Sequence, residues 1–229
     1  MSAVAVDITQ LQADPRTQVE VCQPPVRCGR LDGVRRARGA PALLLAVWVF
    51  AGSLPAFAIE MSTGVRDDGR AYWRMDAQGF QVELVQLQPN QVRAFYIARG
   101  FSAEQAESLA VTCLMQMIVR NAQPTGAQPI QLPLAHWGVH TAAGRQPLRL
   151  TGDWDTLWDA QGTAPEARLA FRWALFPVDQ TFHPGDGNWG MITTGLAVGT
   201  RFDLLMQWMR GAQTETAAMR SLQCAADTR

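Results

Sequence analysis

The sequence lacks lysine: all 20 of its basic residues are arginine. A Schiff-base lysine, a lysine general base and the phosphate-binding lysine of a P-loop are therefore excluded. The arginines are balanced by 20 acidic residues, which gives a formal net charge of zero. This balance argues against nucleic acid as a partner, because nucleic-acid-binding surfaces depend on an excess of positive charge.

Residue types that act as nucleophiles or metal ligands are also scarce. Only four serines follow residue 58, and none of them lies in a Gly-x-Ser-x-Gly motif. The chain has no Cys-x-x-Cys redox pair and no Cys-x-x-Cys-His haem-attachment motif. An enzyme built from this sequence would have to rely on Asp, Glu, His or a metal, so we expect a non-catalytic protein.

The first 58 residues have the pattern of an export signal. Closely spaced arginines precede an apolar run at residues 42–52, and the small-x-small pattern Ala56-Phe57-Ala58 follows. The run is shorter than the ~20 residues that span a bilayer, which argues against an uncleaved anchor. We predict that residues 1–58 are an N-terminal extension plus a cleavable signal peptide, cut after Ala58. Residues 59–229 would then be a single periplasmic or secreted domain that meets the membrane only through the signal.

Two of the four cysteines remain after this cleavage, Cys113 and Cys224. Two cysteines in an oxidising compartment usually pair, so a Cys113–Cys224 disulfide is predicted. A thiolate nucleophile or a copper ligand is the alternative. It is disfavoured because Cys113 falls on the apolar stripe of a helix predicted to begin after Ser102, and an apolar setting opposes a thiolate. The bridge would anchor a C-terminal tail that is otherwise polar.

Alternating apolar residues predict strands at 71–75, 80–87, 114–119, 129–134 (an edge strand), 168–175, 189–196 and 202–208. Short helices are predicted after Asn90, after Ser102, whose capping box is completed by Gln105, and after Asp153. These elements indicate an α+β, mainly β class: a single antiparallel β-sandwich-like domain with two or three short helices.

The loop at residues 177–190 is the most unusual stretch. It is rich in Pro, Gly, Asp and Asn, and we single out His183, Asp186, Asn188 and Trp189 as its candidate binding residues. His183 and Asp186 could also act as a base and its orienting group. The same composition is what a chain needs merely to turn, so a structural role stays open.

Two further sets of residues are candidates for binding. His136, His140 and His183 could form a three-nitrogen site for copper or zinc, although nothing in the sequence brings the third to the other two. Trp137 and Trp154 lie in irregular or amphipathic stretches and could be exposed aromatic platforms. Trp173 and Trp208 lie on the large-residue faces of predicted strands and are expected in the core.

The sequence therefore favours an exported, non-catalytic binding or accessory module that presents the 177–190 loop to another periplasmic or membrane-bound protein. No cofactor is predicted. One alternative is an accessory protein that handles copper or zinc for a respiratory or redox system. The other is a hydrolase that depends on Asp and His.

Overall fold

The computed structural model describes residues 59–228, and the predicted leader lies outside them. The strands are β1 (Ile59–Val65), β2 (Ala71–Ala77), β3 (Phe80–Gln86), β4 (Thr112–Asn121), β5 (Ile130–Pro133), β6 (Gly138–Thr141), β7 (Gly144–Pro147), β8 (Asp179–Phe182), β9 (Gly187–Ala197), β10 (Arg201–Arg210) and β11 (Gln213–Gln223). The helices are α1 (Pro89–Ile97), α2 (Ala103–Ala110), α3 (Thr151–Ala160) and α4 (Pro165–Ala174), with a 3₁₀ turn at Leu134–His136.

The first sheet has five antiparallel strands in the order β1-β2-β3-β4-β9. The predicted hairpin β2–β3 is confirmed, and it closes at Gln78-Gly79, both with positive φ (55° and 83°). The side chain of Asp76 accepts a hydrogen bond from the Gly79 N–H at 2.7 Å. A two-residue turn with positive φ matches the right-handed twist of its flanking strands, which explains this tight connection.

The second sheet is organised around β10. One edge of β10 pairs with β11 along its full length, while β6 and β5 share the other edge. β7 continues the sheet beside β6, and β8 continues it beside β5. Two expectations are corrected here: the C-terminal tail forms β11 rather than lying unanchored, and β5 is an internal strand although Pro133 ends it.

Two apolar clusters hold the layers together. The first fills the space between the two sheets and includes Phe80, Met117, Leu204 and Trp208. The second lies between the helices and the outer face of the first sheet, and includes Tyr96, Trp154 and Phe171. The mainly β, sandwich-like α+β class is thus confirmed, with four α-helices within residues 59–228.

The segment predicted as a strand at residues 168–175 is a helix, α4. Pro165 occupies its first turn, where the missing N–H costs nothing, and Glu166 follows at the favourable end of the helix dipole. Ala167 and Phe171, one turn apart, are its buried residues. The helix carries apolar residues on two faces, since Phe171 is buried whereas Leu169 and Trp173 are exposed. In the sequence these residues alternate with smaller or polar ones and so imitate a strand.

Helix starts are partly as predicted. Ser102 caps α2, accepting from the Gln105 N–H at 3.1 Å, and the reciprocal bond to the Ser102 N–H is present. α1 begins at Pro89, one residue before the predicted cap. In α3 Asp153 is not the N-cap. It lies in the first turn, where its carboxylate accepts from the Leu150 N–H at 2.8 Å.

The predicted disulfide is present, with the Cα atoms of Cys113 and Cys224 at 5.4 Å. Cys113 lies on β4, not on α2, and both cysteines are buried in the core between the sheets. The bridge therefore joins the first sheet to the chain that follows β11. Within the described residues no helix is both long and apolar enough to cross a membrane.

Candidate partner-binding surface

The 177–190 loop is an ordered turn. Its first part is β8, and residues 183–186 then turn the chain into β9. The Asp186 carboxylate accepts from the His183 backbone N–H at 2.8 Å, and the Asp186 N–H donates to the His183 carbonyl at 2.9 Å. Asp186 therefore caps its own turn and is not bonded to the imidazole of His183.

Buried Asn121, at the end of β4, fixes this turn to the first sheet. Its side-chain amide donates to the Phe182 carbonyl at 3.0 Å, and its backbone N–H donates to the Asp186 carbonyl at 2.9 Å. The Gly185 N–H returns a bond to the Asn121 carbonyl at 2.7 Å, with Gly185 at a φ of 93°. At the start of β9, the Asn188 amide donates to the Gln180 side chain at 2.7 Å. The loop thus has a defined shape.

The same loop contains a Gly-x-Gly-x-x-Gly spacing at Gly185, Gly187 and Gly190. In a dinucleotide-binding unit this motif links a strand to a helix. Here it leads into the antiparallel strand β9, so the motif has no phosphate-binding context. Gly190 serves packing: a Cβ at this position would come within 2.6 Å of the Phe176 backbone nitrogen.

Two strongly exposed tryptophans flank the junction between α4 and β9. Trp173 is 82% exposed and Trp189 is 66% exposed. Leu175 and Met191 form a parallel backbone bridge, and the Phe176 N–H donates to the Met191 carbonyl at 2.8 Å. Each tryptophan lies two residues before this bridge, so both indoles are carried by regular elements that meet there. Trp173 was expected in the core; its exposure follows from the helical conformation of α4.

Neighbouring apolar side chains extend this region. Leu169 lies one helical turn before Trp173 and is also exposed. Ile118 is directly opposite Trp189 in the β4–β9 pairing and is half-buried. We refer to Leu169, Trp173, Ile118 and Trp189 as the α4–β9 surface. Beneath it, the buried hydroxyl of Tyr96 donates to the Met191 sulfur at 3.5 Å, and burial raises the Tyr96 pKa, so the phenol stays protonated.

Charged groups border the α4–β9 surface on both sides. Along the outer face of the first sheet, Glu83 is opposite Ile118 and binds Arg66 and Arg74. Burial acts to raise the pKa of Glu83, but hydrogen bonds from Arg74 and Arg66 outweigh it and lower this pKa overall. On the helical side, Asp155 pairs with Arg172 at 2.9 Å. An apolar centre within a charged rim is typical of protein–protein interfaces.

The three histidines lie on different elements. Within residues 59–228 no group of three or more His, Cys, Asp or Glu is placed to hold a metal ion. His136 is in the 3₁₀ turn, where its Nδ1 lies 3.1 Å from the Gln207 amide. His140 is on β6, opposite Arg145 and Asp203, whereas His183 is in the turn between β8 and β9.

Trp137 and Trp154 are not exposed platforms, because both are fully buried. The indole N–H of Trp137 donates to the Gln207 carbonyl at 2.8 Å, since the apparently irregular stretch around it packs as the 3₁₀ turn and β6. Trp154 donates to the Thr193 hydroxyl at 2.9 Å and stacks on Trp158, with ring centroids 5.3 Å apart. Buried indoles usually find such a partner.

The two tryptophans that do face solvent could have been found in part. Pro165 followed by Glu166 marks a helix start, and a helix through this segment places Trp173 on the face opposite Phe171. No sequence pattern indicates that the outer face of β9 at Trp189 is exposed to solvent.

Comparisons with models of protein families, with curated proteins and with solved structures find no significant match for this chain.

Proposed function

We propose that this chain is an exported, non-catalytic binding module whose α4–β9 surface docks another periplasmic or membrane-bound protein. The observation that carries the proposal is the exposure of Trp173 and Trp189 at one junction of the fold. Tryptophan is among the residue types most enriched at the energetic centres of protein interfaces. Both tryptophans lie beside the Leu175–Met191 bridge, and exposed apolar side chains grouped on a folded domain commonly mark such interaction sites.

The elements that hold Trp173 and Trp189 are well ordered, which favours binding of a partner with little rearrangement of this chain. Trp173 is held by a helix that buries Phe171, and Trp189 by a strand paired with β4. The turn that precedes Trp189 is fixed by buried Asn121. A binding surface that is already ordered loses little conformational entropy when a partner docks. The 177–190 loop therefore contributes through Trp189, while its His183 to Asp186 segment positions the strand.

The proposed location outside the cytoplasm is supported by the Cys113–Cys224 disulfide, since such bonds persist in oxidising compartments. The signal-like pattern before Ala58 agrees with this. The periplasm or the extracellular space is thus the compartment in which a partner is to be sought.

Site-specific photo-crosslinking in the native host tests the proposal. A photoreactive residue is placed at Leu169, within the α4–β9 surface, or at exposed Ala143, between β6 and β7, as the matched control. We expect a discrete cross-linked protein from position 169 and none from the control position. Adding Trp173→Ala and Trp189→Ala should weaken the capture by about tenfold or more. Thermal unfolding of the double variant should match that of the parent, since both indoles are exposed.

Equal cross-linking from both positions would contradict the proposal, as would capture from position 169 that persists in the double variant. The absence of any adduct across growth conditions in which the protein is present would also count against it. Thermal unfolding of each variant, measured alongside, distinguishes these outcomes from a folding defect.

A further inference from the structure

β1 is an open sheet edge. Within residues 59–228 it pairs only with β2, and six of its seven residues are exposed. Natural proteins protect such edges with Pro, a β-bulge, charged side chains or a covering element. β1 has no proline and no bulge in its pairing with β2, and its single charged residue is Glu60. Among residues 59–228 nothing pairs with its outer row of N–H and C=O groups, and after the predicted cleavage at Ala58 this row is available to another strand.

One face of β1 is apolar and uncovered. The register places Ile59 opposite Ala77 and Met61 opposite Met75, so these side chains continue the face that forms the core between the sheets. Ile59 is nevertheless 40% exposed, Met61 46% and Val65 68%. A cleft of about 510 Å³ opens beside the start of β1, between Ile59 and Ala77 of the first sheet and Trp208 and residues 213–216 of the second.

We propose that β1 pairs with β1 of a second copy of this chain. The two strands would run antiparallel across a two-fold axis at Ser62, joining the two five-stranded sheets into one of ten strands. Such a contact is isologous, because each copy offers the same strand. It satisfies the free backbone groups of both edges and extends the apolar face formed by Ile59, Met61 and Val65.

The sequence of β1 selects this register. Opposed residues share a face, so both apolar faces coincide only if the axis passes through a residue. With the axis at Ser62 all seven residues pair: Ile59 meets Val65, Glu60 meets Gly64, and Met61 meets Thr63. An axis at residue 61 or 63 loses two of these pairs, and an axis at residue 60 sets Glu60 against Glu60. Like charges directly opposite destabilise a strand pair.

The limited length of the contact indicates that the dimer is weak. One strand pair buries less surface than the roughly 1,200–2,000 Å² of standard stable interfaces. We therefore expect a concentration-dependent dimer. The α4–β9 surface is formed by other elements, so this contact does not depend on the proposed function.

Cysteine cross-linking tests the register. Ser62→Cys places two cysteines directly opposite each other with their Cα atoms about 4.5–5.5 Å apart, a separation that a disulfide can span. Glu60→Cys is the matched control, because its two copies are offset by four residues along the strands, about 13 Å. The native disulfide occupies the other two described cysteines. Under mild oxidation of the purified protein we expect a covalent dimer from Ser62→Cys and little from Glu60→Cys.

Sedimentation velocity tests the contact without cross-linking. Ser62→Glu sets two like charges against each other at the axis and should raise the dissociation constant of the dimer about tenfold or more. Within each copy residue 62 lies opposite Arg74, so the added carboxylate does not oppose the β1–β2 pairing. Ser62→Thr, which keeps an uncharged β-forming residue, should leave the dissociation constant within about twofold. A parent protein that sediments as a monomer up to about 1 mM overturns the proposal. Equal oxidation of the two cysteine variants, or a dimer unaffected by Ser62→Glu, also overturns it.

Discussion

Glu83 is a charged residue held largely out of water on the outer face of a sheet. Its carboxylate accepts from the Arg74 Nε at 2.9 Å and also binds the guanidinium groups of Arg74 and Arg66. These charge-assisted bonds more than offset the cost of burying the carboxylate, so the Glu83 pKa is below its ordinary value. The carboxylate therefore stabilises the folded state when ionised.

The contribution of Glu83 to the free energy of unfolding decreases as the pH falls. Because the pKa of Glu83 is lower in the folded state, its contribution is fully present above the unfolded pKa of about 4.3. The contribution disappears as the pH falls through the folded value. Glu83→Gln should therefore lower the free energy of unfolding by about 1–2 kcal/mol at pH 7, with a difference that shrinks below about pH 4.

Urea denaturation at a series of pH values measures this difference. Asp67→Asn, in the exposed turn between β1 and β2, is the matched control for loss of one carboxylate. A stability difference for Glu83→Gln that is constant from pH 7 to pH 3 would contradict the assigned role of the ionised carboxylate.

At the scale of elements, helices and strands compete for the same apolar residues. In the segment of α4, Leu169, Phe171 and Trp173 fit a strand, while Ala167 and Phe171 fit a helix, and Pro165 decides for the helix. Apolar periodicity alone is ambiguous when a helix carries apolar groups on its exposed face as well. The same error concealed the candidate surface, because it assigned Trp173 to the core.

Local rules were sufficient wherever a turn or cap encodes its own geometry. The β2–β3 hairpin follows from its Gln-Gly turn, and α2 from its capping box. The places of β5 and β11 beside β10 depend on pairing between distant segments or on packing, which no short pattern reveals. For that reason the sequence predicted the class and the disulfide, but not which tryptophans face solvent.

The cap of α2 offers a test at this scale. Ser102→Ala removes the acceptor of the Gln105 N–H and should lower the free energy of unfolding by about 1 kcal/mol. Ser108→Ala is the matched control: Ser108 lies inside the helix and its hydroxyl bonds only to a carbonyl within the same turn, so we expect a smaller change. Chemical denaturation measures both variants, and an equal or larger loss for Ser108→Ala would contradict the assigned role of the cap.

At the scale of the whole molecule, the disulfide and β11 are two separate constraints on the C-terminal segment. Cys113 and Cys224 close a loop with a sequence separation of 111 residues. β11 is independently held by its full-length pairing with β10, and buried Met219 and Leu222 face the core. The bridge therefore acts chiefly by restricting the unfolded chain, and the folded sheet should persist without it.

Replacing both cysteines by alanine should accordingly lower the free energy of unfolding by about 2–4 kcal/mol while leaving the fold intact. Hydrogen exchange of the backbone amides distinguishes the two constraints. In the Cys113→Ala/Cys224→Ala variant we expect the amides of β10 and β11 to remain protected to the same extent as each other. Both sets should exchange through global unfolding, whose free energy is lower than in the parent protein. Protection lost from β11 alone would show that pairing with β10 is too weak to hold the segment. The bridge would then be the anchor of a tail rather than a constraint on a strand already in place.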